Sequence, residues 1–217
     1  MPTGSGSGFR NDSLAMSIWR GKDPLILASQ SHARKMLLAN AGIPYEAVPA
    51  DIDERAVQRD SGLAAPGEIA NLLAREKARL VSSQMPGRFV VGADQTLALG
   101  NRLFSKPAGR VQAAEQLRAL AGNMHELHSA IAVAQGGRIL FADVGIARMT
   151  MRRLDDSEIE AYLDQAGEAV TTSVGAYQLE GLGVHLFARI DGDHFTILGL
   201  PLLQLLAFLR SEKLLAV

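Results

Sequence analysis

The chain has 217 residues, 47% of them apolar and 21% charged, an ordinary globular balance with ample material for a core. Its formal net charge is −1 and it contains no cysteine. Disulfides, thiolate metal sites and cysteine nucleophiles are therefore excluded, and no overall field recruits DNA or a membrane surface. The absence of cysteine fits a reducing cytosol, so a cytoplasmic location is expected. The apolar stretch at residues 195–209 is interrupted by Gly199, Pro201 and Gln204 and is too short to span a bilayer.

The N-terminal residues read GSGSG and then polar, without the apolar centre of a signal peptide. Residues 1–20 are expected to be a disordered leader or expression remnant, and residues 21–217 a single domain. Leu25–Ala28 reads as a buried strand. A helix follows from His32 to Ala41, capped by Ser31 and ended by Gly42. Tyr45–Val48 is a second strand, followed by an acidic patch at Asp51, Asp53 and Glu54. Pro66 and Glu68 open a second helix whose apolar face carries Ile69, Leu72, Leu73 and Leu80.

Phe89–Ala93 is another buried strand, running straight into Asp94. Thr96–Leu99 and Arg102–Ser105 read as a hairpin about Gly100-Asn101. A helix at Val111–Ala121 precedes two long strands, Leu127–Ala134 and Ile139–Met151. Asp155 and Glu158 form a capping-box pattern for a helix through Leu163. After a glycine-spaced loop at Gly175–Gly183 come strands at Val184–Ile190 and His194–Leu198 joined by Asp191-Gly192. Pro201 then opens a leucine-rich terminal helix. Interleaved strands and helices with hairpins in the second half predict a mixed α/β sheet.

Several clusters have the residue types for phosphate chemistry. Ser29-Gln30-Ser31-His32-Ala33-Arg34-Lys35 joins a strand to a helix N-terminus, where free N–H groups and two cations suit phosphate. Helix capping by serine is the plain alternative. Asp94 follows a buried strand, where α/β proteins bind ligands, and Gly92 permits a close approach. Glu54, with Asp51 and Asp53, offers hard oxygen donors, or else a solvated acidic loop. Lys77 and Lys106 can neutralise a phosphate chain, although an exposed helix lysine is the plain reading of Lys77. In Gly175-Ala176-Tyr177-Gln178-Leu179-Glu180-Gly181, Gln178 and Glu180 could read a base edge. His125 and His128 lack the spacing that places both on one strand face, and the other histidines read as structural or surface groups.

Taken in order, LILASQSHARKMLL, the IDE at Ile52–Glu54, AREKA at Ala74–Ala78, GADQT at Gly92–Thr96, SKP at Ser105–Pro107, GAYQLEG and ILGLPL resemble the Maf family of nucleotide pyrophosphatases. The resemblance runs from Leu25 to about Leu209. It implies a mixed twisted sheet with flanking helices, forming two lobes around a central cleft, and hydrolysis of nucleoside triphosphates to a monophosphate and pyrophosphate. It also implies a divalent metal, Mg2+ or Mn2+, at Glu54 and Asp94. Asp94 matches the proton acceptor. Ser29, Arg34, Lys77 and Lys106 match phosphate-holding positions.

Ala33, Gln95 and Glu180 match the three positions linked to base preference. The branch favouring thymidine and uridine triphosphates shows arginine, threonine and glutamine there. The branch favouring 7-methyl-GTP shows a large aromatic, glutamine and glutamate. Gln95 and Glu180 follow the second branch, but Ala33 cannot stack on a methylated purine. A broad triphosphate specificity is therefore expected, with 7-methyl-GTP as the named alternative. The competing class is a nucleotide-binding regulator of cell division or septum formation without catalysis. Family members commonly form dimers, so a homodimer is the candidate assembly.

Overall fold

A computed structural model describes residues 18–217; the expected leader, as far as residue 17, lies outside them. Residues 18–20 depart from the leader reading. Trp19 forms an isolated bridge with Leu215, and the Arg20 amide donates to the Leu214 carbonyl. Trp19 also packs against an apolar core.

The elements run β1 (Leu25–Leu27), α1 (His32–Asn40), β2 (Tyr45–Ala47), α2 (Glu54–Ser61), α3 (Pro66–Gln84), β3 (Val90–Leu99), β4 (Arg102–Phe104), α4 (Arg110–Leu120), β5 (Met124–Gln135), β6 (Arg138–Met151), α5 (Asp156–Ala166), β7 (Phe187–Asp191), α6 (His194–Ile197) and α7 (Leu202–Ser211). Short 3-10 turns at Gly167–Thr171, Val174–Ala176 and Leu182–Leu186 lie between α5 and β7. The strands form one seven-stranded sheet in the order β2-β1-β3-β5-β6-β7, with β4 also on β3. β1 runs parallel to β2 and β3, and every other pairing is antiparallel. This is the mixed α/β sheet that the interleaved sequence pattern predicts.

Several boundaries differ from expectation. β3 does not stop before Asp94 but continues as one ten-residue strand through it. α2 has no buried residue and hence no apolar stripe to read, yet it carries both end signals. Asp53 caps it by accepting from the Ala56 amide, and Gly62 ends it at φ 67°. The expected strand at His194–Leu198 is instead α6. The β-forming residues Phe195, Thr196 and Ile197 are overridden by Asp193, whose carboxylate accepts from the Thr196 amide as an N-cap. Asp191-Gly192 is thus a strand-to-helix turn. A Cβ on Gly192 would lie 2.7 Å from the Ala147 Cβ.

Two large apolar clusters share one face of the long strands. The first gathers Leu25, Leu27, Val91, Ala93, Ile131 and Val133 with α1 and α7. The second gathers Leu97, Leu127, Ala147 and Met149 with α4, α5 and Tyr177. Between them runs a row of register partners without large apolar side chains: Gln95, Ser129 and Gly145. The two-lobe expectation finds its physical basis here, in one sheet carrying two cores. α7 turns Leu202, Leu205 and Leu209 into the first core.

On the opposite face α3 lies along β3 and β5 through Ala70, Ala74 and Ala78 against Ala130, Ala132 and Ala134. Gly92 makes this approach possible: a Cβ there would stand 2.1 Å from the Ala74 carbonyl oxygen and 2.7 Å from the Ala78 amide nitrogen. Thr96 Oγ1 fixes the start of α3 by donating to the Pro66 carbonyl at 2.9 Å.

Candidate functional site

The site lies at an interruption in the sheet. β1 reaches only as far as Val91 of β3, and β4 rejoins β3 at Leu97. Between them, one edge of β3 has no neighbouring strand. The Phe89 and Val91 carbonyls accept from the Ile26 and Ala28 amides, but the next carbonyl in the series, Ala93, has no strand to meet. Arg34 takes it instead, with Nη1 at 2.8 Å. Its Nη1 also donates to Ser29 Oγ at 3.1 Å, and its Nε to the Gly199 carbonyl at 2.8 Å. A guanidinium suits this role because its rigid fork of donors satisfies several acceptors at once. Burial pushes its pKa down, opposed by Asp94 and Glu54, yet a group with so high an ordinary value stays charged.

Ser29 lies two residues beyond the end of β1 and is 9% exposed. Its Oγ also accepts from the Ser31 amide, while Ser31 caps α1 by accepting from the Arg34 amide. The strand end, the turn and the helix cap therefore fix the Arg34 backbone.

Asp94 points to the α3 face, because successive side chains on a strand alternate. Lys77 comes from α3 on the same stripe as Ala70, Ala74 and Ala78. It is 8% exposed, as is Asp94, so the plain reading of Lys77 as a solvated helix lysine is wrong. Its Nζ lies 2.7 Å from Asp94 Oδ1 and 2.7 Å from Glu54 Oε1. Glu54 reaches it from the first residue of α2, with its side chain about half exposed. Burial raises the Asp94 pKa, while the Lys77 ammonium and the Arg34 guanidinium pull it back; the net shift is upward.

Five of the expected residues thus meet: Ser29, Arg34, Glu54, Lys77 and Asp94. Others do not join them. Lys106 is exposed in the turn after β4, and Glu180 is exposed in the loop after Tyr177. Neither shares a hydrogen bond or ion pair with the cluster. Ala33 packs against the first core. Asp53 is engaged as the α2 cap. Gln178 donates to Thr172 Oγ1 at 2.7 Å.

Gln95 is next to Asp94 in sequence but faces the other side of the sheet. Its Nε2 donates to Ser129 Oγ at 2.7 Å and to the Thr196 and Ile197 carbonyls at 3.2 and 3.0 Å. Ser129 Oγ donates to the same Thr196 carbonyl at 2.6 Å. Sequence reasoning missed Ser129, Thr196 and Asp193. The signal available was a serine beside His128 in the mostly apolar run Leu127–Val133, at the register position of Gln95.

The carboxylates of Glu54 and Asp94 are the cluster's charged metal donors. Among the described residues no group of three or more His, Cys, Asp or Glu side chains could hold an ion. Two carboxylates fit a magnesium-type ion when phosphate oxygens and water complete its shell. The cavities found elsewhere, at Tyr162–Leu182 and beside Trp19, do not include this cluster.

Residues 24–212 match the sequence profile of the Maf-like protein family. The chain belongs to that family. It is 70% identical over 202 residues to a protein of Bradyrhizobium diazoefficiens named nucleoside triphosphate pyrophosphatase, covering 93% of this chain and 100% of the relative. A protein of the same name from Rhodopseudomonas palustris is 68% identical over 202 residues, with the same coverage of each chain. A Brucella abortus protein named 7-methyl-GTP pyrophosphatase is 50% identical over 192 residues, covering 87% of this chain and 96% of that one. Among the described residues, no helix of this Maf-like chain is long and apolar enough to cross a membrane.

Proposed function

We propose that this Maf-like chain hydrolyses nucleoside triphosphates to a nucleoside monophosphate and pyrophosphate. The observation that carries the reading is the buried Lys77 between Asp94 and Glu54, beside Arg34, at the gap in the sheet. The names of its close relatives agree.

Attack on the α-phosphorus needs an oriented water, a base, and cations for the departing pyrophosphate. Asp94 is the base: its carboxylate takes a proton from water as the new oxygen–phosphorus bond forms and the bond from the α-phosphorus to the bridging oxygen breaks. A pKa raised by burial brings that base closer to neutrality, where proton transfer is most effective. Arg34, already braced by Ser29, Ala93 and Gly199, and Lys77 supply the positive charge for the phosphate chain. Glu54 and Asp94 are the residues that would hold a magnesium or manganese ion, which when bound would add charge neutralisation at the phosphates. Lys106 would join only by reaching from its exposed turn once a substrate spans the gap.

Removal of modified or non-standard nucleotides is the proposed role, with 7-methyl-GTP as the narrower candidate because a 50%-identical relative bears that name. The internal bonds of Gln95 support a bracing role for that side chain rather than direct reading of the base. The test is a panel of canonical and methylated triphosphates with Mg2+ or Mn2+, products identified by chromatography. Release of a monophosphate and pyrophosphate is expected. Tight nucleotide binding without turnover across the whole panel would instead favour a signalling protein.

A further inference from the structure

We propose that Lys77 occupies the place of the divalent cation between Glu54 and Asp94, so that the metal enters with the triphosphate rather than before it. The proposal rests on the hydrolase reading and concerns how its site fills.

The geometry supplies the first argument. One ammonium bridges one oxygen of each carboxylate at 2.7 Å. A magnesium ion sharing those oxygens sits about 2.0–2.1 Å from each, too near Nζ for both cations to remain. Lys77 hangs on a flexible four-carbon stem and is a compact point charge. Glu54 is half exposed, so the bridge has a way open. Nothing comparable holds for Arg34, whose guanidinium is tied to Ser29, Ala93 and Gly199.

Charge balance supplies the second. Arg34 and Lys77 offset Asp94 and Glu54, and the cluster is neutral as it stands. A metal ion alone would leave an excess of positive charge in a buried place, and a triphosphate alone a larger excess of negative charge. Together they leave only about half the excess that the triphosphate brings alone. The phosphates can then draw the ammonium from the carboxylates, and the ion takes the vacated oxygens. Lys77 serves both states: it offsets the repulsion between two acids in the empty protein and neutralises phosphate in the loaded one. With only two carboxylate donors, the protein's own ligand set is too small to hold the ion firmly by itself.

The test is Mn2+ binding followed by electron paramagnetic resonance of the free ion. It is measured on the wild-type chain, Lys77→Met, and Lys77→Met with Asp94→Asn, each with and without a non-hydrolysable α,β-methylene triphosphate. Without nucleotide, Lys77→Met is expected to bind Mn2+ at least about tenfold more tightly than wild type, within the usual range of coupling between two ligands. The analogue should raise wild-type affinity by a larger factor than it raises that of Lys77→Met. Adding Asp94→Asn should abolish the gain. Should Lys77→Met lose stability, the rise in its melting temperature with added Mn2+ gives the same comparison, and Lys77→Gln provides a second variant. Equal or weaker Mn2+ binding by both Lys77 variants overturns the exchange, since it means that the ion and the ammonium coexist. So does a gain that survives Asp94→Asn. Metal-dependent pyrophosphate release by the same wild-type preparation keeps the two readings separate: if it is present, negative binding results sink the exchange alone.

Discussion

Asp94 and Gln95 are adjacent in β3, yet they serve two unlike environments. On the Asp94 face, Lys77, Asp94 and Glu54 hold one another by ion pairs that a ligand can redistribute. On the Gln95 face, neutral groups bind main-chain carbonyls, and every bond ties one element to another. Gln95 and Ser129 seat α6, and Gly145 leaves room for it, since a Cβ there would lie 2.5 Å from Thr196 Oγ1. The alternation of a strand thus separates a chemically available face from a bracing face within a single residue step. Arg34 stands at the gap and touches both: it senses Asp94 and Glu54 electrostatically, and it holds the Gly199 carbonyl just beyond α6.

The largest effect should come from the available face. Asp94→Asn keeps the size of the side chain but removes the base. Turnover should fall by about 100- to 10,000-fold, the range for losing a general base, well beyond what the loss of stability from leaving Lys77 paired with Glu54 alone accounts for. Pyrophosphate release and a melting curve on the same preparation decide it. A folded variant with near-normal turnover would show that the Asp94 face is no more catalytic than its neighbour.

Gly92→Ala attacks the same face through its frame. The added methyl would overlap the Ala74 carbonyl and the Ala78 amide, which are helix backbone and cannot rotate aside. α3 would have to move off the sheet and carry Lys77 away from Asp94. A loss of about 3 kcal/mol, or about 6–12 °C in melting temperature, is expected from the overpacking, with activity reduced beyond what the unfolded fraction explains. A melting temperature unchanged within a degree or so would mean that α3 yields freely there.

How much of this was readable in advance follows the same division. Asp94, Lys77, Glu54, Arg34 and Ser29 stand out as charged or hydroxyl residues of the segments that carry the family resemblance, and they meet in space. What the sequence hid was context. Lys77 reads as solvated because its neighbours on the stripe are alanines, which mark a close helix–sheet contact less plainly than leucines do. α2 escaped notice because no apolar period runs through Glu54–Ser61. α6 escaped because three β-forming residues conceal a cap by Asp193. The bonds of Gln95 depend on register with Ser129 and on α6, both long-range facts that no local window contains. The mixed sheet, by contrast, follows from apolar runs and turn residues, which are local.

His125 extends the bracing face into the second core, where it lies 2.7 Å from the Tyr177 hydroxyl and is 0% exposed. Burial lowers its pKa from the ordinary 6.5 to about 4. The unfolded chain therefore takes up the proton first as pH falls. Stability owed to a neutral His125 is complete above the unfolded value and is lost as pH drops toward the folded one, a loss of about 2 kcal/mol by pH 5. Denaturant unfolding of wild type and His125→Phe at pH 7.5 and pH 5 should show a smaller acid loss in the variant. Parallel curves would mean that the protonated ring is tolerated in that core.

Ser129→Ala is the smallest effect expected and the sharpest probe of the separation. The change removes the bond from Ser129 Oγ to the Thr196 carbonyl and the one it accepts from Gln95. No partner is stranded: the Thr196 carbonyl keeps the Gln95 amide at 3.2 Å, and that amide keeps the Ile197 carbonyl at 3.0 Å. The cost should therefore fall near the ordinary value for a hydrogen bond, about 1 kcal/mol. If the two faces act independently, kcat should stay within about twofold of wild type. Any kinetic effect should enter through Arg34, because a looser α6 loosens the Gly199 carbonyl that steadies the guanidinium. That effect would raise KM for the triphosphate and leave kcat in place. A fall in kcat comparable to that of Asp94→Asn would instead mean that the neutral face shapes the reacting geometry directly, and the strand would then be one site with two sides.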